Sequence, residues 1–156
     1  MTPSRHFARP ALLLSLALAF ALGAGPARAE KADKEKPVNL EADRVSADDA
    51  RKVYTFEGNV RLVQGTMSLL ADRVVVTQDE SGFQKGVAYG LNGKLAKFRQ
   101  KREGKDEWID GEAERIEHDA REDTTQFFVR GWVRSGLDEV RGDYISYNAL
   151  TEKYLV

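Results

Sequence analysis

Two stretches of the chain repeat one pattern, and that pattern decides the fold. The first, FEGNVRLVQGTMSLLADRVVV, covers residues 56–76, and the second, FVRGWVRSGLDEVRGDYISY, covers residues 128–147. In each, a glycine precedes a run of alternating apolar and polar residues, a turn follows, and an acidic residue precedes more alternation. A period of two is typical of strands that bury one face, so both stretches are predicted to be β-strands.

A shorter motif supports the repeat and sets its length. The tetrapeptide ADRV at residues 42–45 recurs at 71–74 and, more loosely, at 113–116 and 142–145, so the first and last spacings are equal. A unit of about 71 residues therefore occurs twice. A hairpin is predicted in the segment between the two units, with its turn at Asn92-Gly93, because both residues tolerate positive φ. The segment EWIDGEAERIEHDARED, residues 107–123, contains good helix formers, but its position in the repeat predicts strand.

Residues 1–29 are predicted to be a cleavable secretory signal. Two arginines precede an apolar run at residues 11–22, and Ala27-Arg28-Ala29 provides a small-x-small cleavage site before Glu30. The run is shorter than the roughly 20 residues that a bilayer span needs, although an uncleaved anchor is the alternative. Residues 30–37 are charged and are predicted to form a flexible leader, so residues 38–156 would form the single domain.

Composition narrows the class of protein further. Removal of the signal takes away three arginines and changes the formal net charge from −1 to −4, without a basic stripe that would indicate nucleic-acid binding. Cysteine is absent, so packing and backbone pairing must stabilise an exported chain that could otherwise use disulfides. We therefore expect an exported protein that does not bind nucleic acid, and the composition suits a bacterial envelope compartment.

The sequence offers little for catalysis, and we predict no enzyme activity, cofactor or metal. His118 is the single histidine after the signal, and without cysteine it cannot form a His/Cys metal cluster. We expect it to be a half-exposed strand residue; a Ser-His-Asp triad would need a nucleophile elbow, which the sequence lacks. Carboxylate pairs such as Asp48 with Asp49 could serve a glycosidase, but solvated charge is the default beside turns.

The repeated acidic–basic pairs allow two interpretations. Their arginines could contact lipid phosphates, because a guanidinium matches phosphate geometry. Alternatively, they are outward-facing charges that discourage uncontrolled pairing of strand edges. The pairs are Asp43-Arg44, Asp72-Arg73 and Glu114-Arg115.

Five segments taken together resemble a known family. They are VNLEADRV, FEGNVRLVQGTMSLLADRVVV, KLAKFRQK, IDGEAERIEHDA and EVRGDYISYNALTEK, and their order and spacing are specific. From residue 38 to the C-terminus, the chain is similar to the OstA-like, LptA-type family of periplasmic lipopolysaccharide transport bridge proteins. The resemblance implies an all-β fold, an open, V-shaped antiparallel β-jellyroll built from repeated short strands. Trp132, near a bend, would alter the shape of its groove.

The resemblance also implies a function without chemistry. The protein would bind lipopolysaccharide, shield the acyl chains in its groove, and bridge the inner and outer membranes. Its partners would be the jellyroll domains of inner-membrane (LptC-like) and outer-membrane (LptD-like) transport components, together with further copies of itself, joined head to tail. The alternative is a secreted β-sandwich that binds polysaccharide or scaffolds envelope proteins.

Alternation and family position together predict which residues line the groove, although each could equally be ordinary core. The predicted wall comprises Val38, Leu40, Phe56, Val60, Leu62, Met67, Leu69, Val74, Val76, Phe98, Ile116, Val133, Ile145 and Tyr147.

Overall fold

The computed structural model describes residues 33–102 and 104–156, and these residues form one antiparallel β-sheet. The predicted signal, residues 1–29, and the start of the predicted leader lie outside the described residues. The prediction of an all-β chain is confirmed, since of the described residues only Asp33 and Lys34 are helical. The strands are β1 (Val38–Glu41), β2 (Arg44–Asp48), β3 (Val53–Gln64), β4 (Met67–Asp79), β5 (Gly82–Tyr89), β6 (Ala96–Lys101), β7 (Trp108–Ala113), β8 (Arg115–Asp119), β9 (Thr124–Ser135), β10 (Asp138–Asn148) and β11 (Lys153–Leu155).

The sequence repeat is a repeat of strand pairing. Strands β1–β4 form one unit and β7–β10 form the second, so that Phe56 of the first unit is equivalent to Phe127 of the second. Phe56 pairs with Val74, and Phe127 pairs with Ile145. The register of β1 on β3 recurs in that of β7 on β9, and the register of β2 on β3 recurs in that of β8 on β9.

Each unit bends in the middle of its longest strands. In β3 the bend falls at Gly58 and Asn59, with φ of 80° and 48°, and in β9 at Val129 and Arg130, with φ of 63° and 55°. Two consecutive residues with positive φ interrupt the pleat, so each long strand pairs with different neighbours on either side of the bend. Val129 adopts this conformation although a β-branched residue is disfavoured there.

The bends divide the sheet into two halves. The β5 half contains β2, β5, β8, β11 and segments 53–57, 73–79, 124–128 and 144–148 of the long strands. The β6 half contains β1, β6, β7 and segments 60–64, 67–71, 131–135 and 138–142. The predicted hairpin around Asn92 is wrong: β5 and β6 pair one after the other along the same edge of β4, and the turn at Asn92 carries the chain between halves.

Six strands close a circuit of pairing, in the order β4, β5, β8, β9, β7, β6 and back to β4. The remaining strands continue outward from this circuit on both sides, where β3 carries β1 and β2, and β10 carries β11. Each of β1, β2 and β11 has one paired neighbour among the described residues. The sheet therefore closes at its centre and keeps free edges at β1 and β2 on one side and at β10 and β11 on the other.

Hydrogen bonds from the repeated motif hold the strands together at the bends. The Asp43 backbone N–H donates to the Gly58 carbonyl at 3.0 Å, and the Asn59 side-chain amide donates to Asp43 Oδ2 at 2.9 Å. In the second unit the Glu114 N–H donates to the Val129 carbonyl, also at 3.0 Å. The two backbone hydrogen bonds satisfy groups that the bends remove from the ladder, and the contact between Asn59 and Asp43 adds a side-chain link in the first unit.

Candidate functional site

The predicted wall residues converge on one apolar interior between the two halves of the sheet. Eleven of the fourteen are at most 2% exposed: Val60, Leu62, Met67, Leu69, Val74, Val76, Phe98, Ile116, Val133, Ile145 and Tyr147. Val38, Leu40 and Phe56 are half-buried and pack against this cluster. The sequence therefore identified most members of the interior, while their contact with lipid stays a prediction.

Aromatic rings join the two halves at the centre of the interior. Phe98 of the β6 half meets Phe127 of the β5 half edge to face, with ring centroids 5.9 Å apart. Gly111 in β7 provides the space for this contact, because a Cβ atom there would clash with the Phe127 ring. The interior is therefore filled by the protein's own side chains, and the halves touch directly.

Six buried interior residues were missed by sequence reasoning: Ala88, Ala96, Ile109, Ala113, Phe127 and Ala149. Three of them could have been found from the repeat, because Ile109, Ala113 and Phe127 occupy the positions of the second unit that are equivalent to Val38, Ala42 and Phe56. The alanines on β5 and β6 had no such signal, since those strands stand outside the repeat.

The prediction that His118 is half-exposed is wrong, because β8 points its ring into the interior. The ring lies between Phe83 and Phe98, with centroids 6.2 and 6.3 Å away, and is 7% exposed. Its Nδ1 is 3.0 Å from the Thr125 hydroxyl oxygen. Burial lowers the pKa of His118 from 6.5 to about 4, against the opposing effect of nearby Asp123. The side chain is therefore neutral at pH 7.

Trp132 lies on the opposite face from its buried neighbour Val133, so its indole does not shape the interior as the resemblance implied. Its indole Nε1–H donates to Glu139 Oε2 at 2.9 Å, and the guanidinium carbons of Arg134 and Arg141 lie 5.5 and 5.8 Å from the ring centroid. The indole is therefore held by charged groups on the outer surface.

The outer surface is a network of opposite charges, and the arginines of the repeated pairs contribute to it. Arg73 Nε lies 3.8 Å from Glu57 Oε1, and Arg115 Nε lies 3.3 Å from Glu117 Oε1. These positions agree with outward-facing charges, whose individual ion pairs contribute little to stability.

Polar contacts join the two halves where the bent sheet's far ends meet, a region that we call the mouth. On the side of the β6 half it comprises residues 33–38, 64–67, 101–102 and 104–107. On the side of the β5 half it comprises residues 79–84, 120–123 and 149–152. Asp33 Oδ1 accepts from the Thr66 N–H at 2.7 Å, while Lys34 Nζ lies 2.5 Å from Asp123 Oδ2. Residues 33–36, part of the predicted leader, thus link both halves.

A second link across the mouth involves Arg102, whose side chain is 16% exposed. Its Nη2 lies 2.8 Å from Glu152 Oε2, and its Nη1 donates to Glu107 Oε2 at 2.7 Å. The hydrogen bond from Arg102 lowers the pKa of Glu152 below its ordinary value. The interior is therefore enclosed at the mouth by ion pairs rather than by backbone pairing.

In residues 33–102 and 104–156, no group of three or more His, Cys, Asp or Glu side chains is placed to hold a metal ion. The same residues contain no helix long and apolar enough to cross a membrane.

The chain is thus an all-β protein with repeated bent strands, an apolar interior and free sheet edges. A family described as LptA/(LptD N-terminal domain) LPS transport protein matches residues 39–153, and the chain belongs to this family. It is 34% identical over 145 residues to the lipopolysaccharide export system protein LptA of Escherichia coli (strain K12), covering 91% of this chain and 77% of that protein.

Further relatives agree with this assignment. The lipopolysaccharide export system protein LptH of Pseudomonas aeruginosa is 34% identical over 90 residues, which is 58% of this chain and 50% of LptH. A crystal structure of LptH, described as the LptA-homologous periplasmic component of the lipopolysaccharide transport device, matches with a TM-score of 0.75. That match covers 80% of this chain and 85% of LptH at 22% identity, and it supports the fold.

Proposed function

We propose that this chain is a non-enzymatic periplasmic carrier of lipopolysaccharide, one link in a bridge between the inner and outer membranes. The observation that carries the proposal is the single apolar interior, to which both repeat units contribute and which runs between two free sheet edges. Each methylene of an acyl chain moved into water costs about 0.8 kcal/mol, so such an interior removes the main barrier to crossing an aqueous compartment. The names of the relatives, lipopolysaccharide export proteins, support the same function.

The interior would admit acyl chains when the two halves move apart as the arms of an open V-shaped jellyroll. The polar links at the mouth favour this direction of opening, because ion pairs there can exchange their partners for water. The bends at Gly58 and Val129 would be the hinge line, since each long strand passes from one half to the other there.

The bridge would form by pairing between free edges. Within the chain, β5 lies between β4 of the first unit and β8 of the second, and β6 lies between β4 and β7. The equivalent positions beside β1 and β2 are free, and β11 covers only part of the outer edge of β10. A second copy, or the jellyroll domain of an LptC-like or LptD-like partner, would complete this arrangement by strand addition.

The alternative of a polysaccharide-binding sandwich is not favoured. A sugar site would use exposed aromatic platforms, whereas the indole of Trp132 is engaged by Glu139 and two arginines. The interior offers little for sugar recognition, because most of the buried side chains among the described residues are apolar.

A photo-reactive phenylalanine analogue tests the carrier function. Placed at Phe56, which is half-buried beside the interior, it should crosslink to lipopolysaccharide after illumination of the purified protein. The control is the same analogue at Trp132 on the outer surface, which should capture none. Mass spectrometry of the Phe56 adduct identifies the lipid, and equal capture at both positions would contradict binding in the interior.

A further inference from the structure

A cavity opens between the two halves at the mouth, next to the apolar interior. Its volume is about 530 Å³. It is lined by Lys34, Lys36, Val38, Gln64, Gln78, Ser81, Phe83, Gln84, Ala120 and Arg121. The cavity therefore touches both halves of the sheet and the segment 33–36 that links them.

The lining combines positive charge with an apolar base. Three of its residues are cations, four carry neutral amide or hydroxyl groups, and none is a carboxylate. Val38 and Phe83 are its connection to the interior, because both pack against the buried apolar cluster. A ligand that suits this lining has a negatively charged, hydroxyl-rich part joined to an apolar part.

Hydrogen bonds hold the lysine-bearing segment at the cavity. The Gln64 side-chain amide donates to the carbonyl oxygens of Lys34 and Lys36, at 3.3 and 3.1 Å. The buried Asp33 accepts from the Thr66 hydroxyl and N–H and so fixes the start of the segment. Both lysines are therefore placed by backbone contacts that do not depend on their ammonium groups.

The cations differ in how far they are already neutralised. Lys34 pairs with Asp123, and Arg121 pairs with Asp79. Lys36 forms no ion pair with another described residue, so its ammonium is available to a ligand. An incoming anion would meet Lys36 first and could then compete with Asp123 for Lys34.

We propose that this cavity binds the phosphorylated sugar headgroup of an acylated lipid while the acyl chains occupy the adjoining interior. The inference rests on the proposed carrier function and adds a recognition site for phosphate to it. Phosphate oxygens accept charge-assisted hydrogen bonds from lysine, and the glutamines and Ser81 can bind sugar hydroxyls. The same chemistry would suit a free phosphate, which lacks acyl chains and cannot use the interior.

Lys36→Gln tests the site, with Lys97→Gln as a matched control. Both changes remove one positive charge from an exposed lysine, but Lys97 lies on β6 beside Glu112, away from the cavity. Binding of the full mature chain is measured for three probes: lipid A with two phosphates, the same lipid A without phosphates, and pyrophosphate alone. We expect Lys36→Gln to weaken binding of phosphorylated lipid A by about tenfold, as loss of one charge-assisted contact should.

The controls distinguish failure of the headgroup site from failure of the carrier function. Binding of dephosphorylated lipid A should be unchanged in Lys36→Gln, and Lys97→Gln should bind all probes like the wild type. If the wild type binds both lipids equally and Lys36→Gln changes neither, the headgroup site is wrong and the carrier function stands. If the wild type binds neither lipid, the carrier function fails and the headgroup site with it. Pyrophosphate binding as tight as that of phosphorylated lipid A would indicate a site for free phosphate and overturn a lipid headgroup site.

Discussion

Replacing His118 by glutamine should remove the loss of stability between pH 6.5 and 4 that burial of this ring is expected to cause. The folded protein holds the pKa of His118 at about 4, whereas the unfolded chain has the ordinary value of 6.5. Between these values the unfolded state binds a proton that the folded state does not, so the free energy of unfolding falls as pH decreases. The contribution is present above pH 6.5 and is lost progressively below it.

The size of the effect follows from the two pKa values. One pKa unit corresponds to about 1.4 kcal/mol, so the wild type should lose about 2 kcal/mol at pH 5 and about 3 kcal/mol at pH 4 from this group alone. A glutamine amide can still hydrogen-bond to Thr125 but does not titrate. His118→Gln should therefore lack this slope, whatever its stability at neutral pH.

Urea unfolding followed by tryptophan fluorescence at a series of pH values gives the two curves. Groups elsewhere in the chain that are common to both proteins cancel in the difference. An NMR titration of the His118 ring measures the pKa directly. Parallel pH dependence in the two proteins, or a ring pKa near 6.5, would refute the inference that burial keeps this histidine neutral.

Two further predictions concern the mouth and the edges. A double-mutant cycle of Arg102→Gln and Glu152→Gln, measured by urea unfolding at pH 7, should give a coupling energy of about 1 kcal/mol. This value lies between those of fully exposed and fully buried ion pairs, because the Glu152 side chain is 37% exposed and solvent screens its charge. Since Arg102 lowers the pKa of Glu152, the coupling should be lost as the pH falls through the pKa of Glu152 in the folded protein. A coupling that persists once Glu152 is protonated would contradict the ion pair. A photo-crosslinker at Asn39, on the free edge of β1, should capture β10 or β11 of a second copy. The control is a crosslinker at Asp79, beside a turn, which should capture neither strand. Crosslinks from Asn39 that form only within one molecule would argue against head-to-tail association.

The strands and much of the interior could be predicted because local alternation and the repeat carry the information. A period of two marks the buried face directly, which is why all fourteen predicted wall residues belong to the interior cluster or pack against it. The repeat adds the register, since pairings such as Phe56 with Val74 recur at the equivalent positions of the second unit. Segment 107–123 shows the value of the repeat, because its helix-forming residues lie in β7 and β8.

What could not be predicted depends on which strands become neighbours in space. The pairing of β5 and β6 along one edge of β4 follows from the path of the chain between halves, which a turn at Asn92 does not specify. The burial of His118 depends on Phe83 and Phe98, which come from two other strands. The ion pairs at the mouth join residues far apart in sequence, such as Lys34 and Asp123, and no local pattern indicates them.

The two units share a backbone pattern but fill the interior differently, and this difference indicates where the interior is most accessible. Gly111 and Gly131 occupy the positions equivalent to Leu40 and Val60, and the Phe127 ring fills the space beside Gly111. Most of the half-buried apolar residues against the interior belong to the first unit: Val38, Leu40, Ala42, Tyr54, Phe56 and Ala71. Apolar surface that is already partly exposed needs less displacement of side chains to contact an acyl chain than surface that is fully packed. We therefore expect lipid to reach the interior from the side of the first unit, which also carries the free edge of β1. A photo-reactive label should accordingly contact lipid at Phe56 rather than at the buried equivalent position, Phe127.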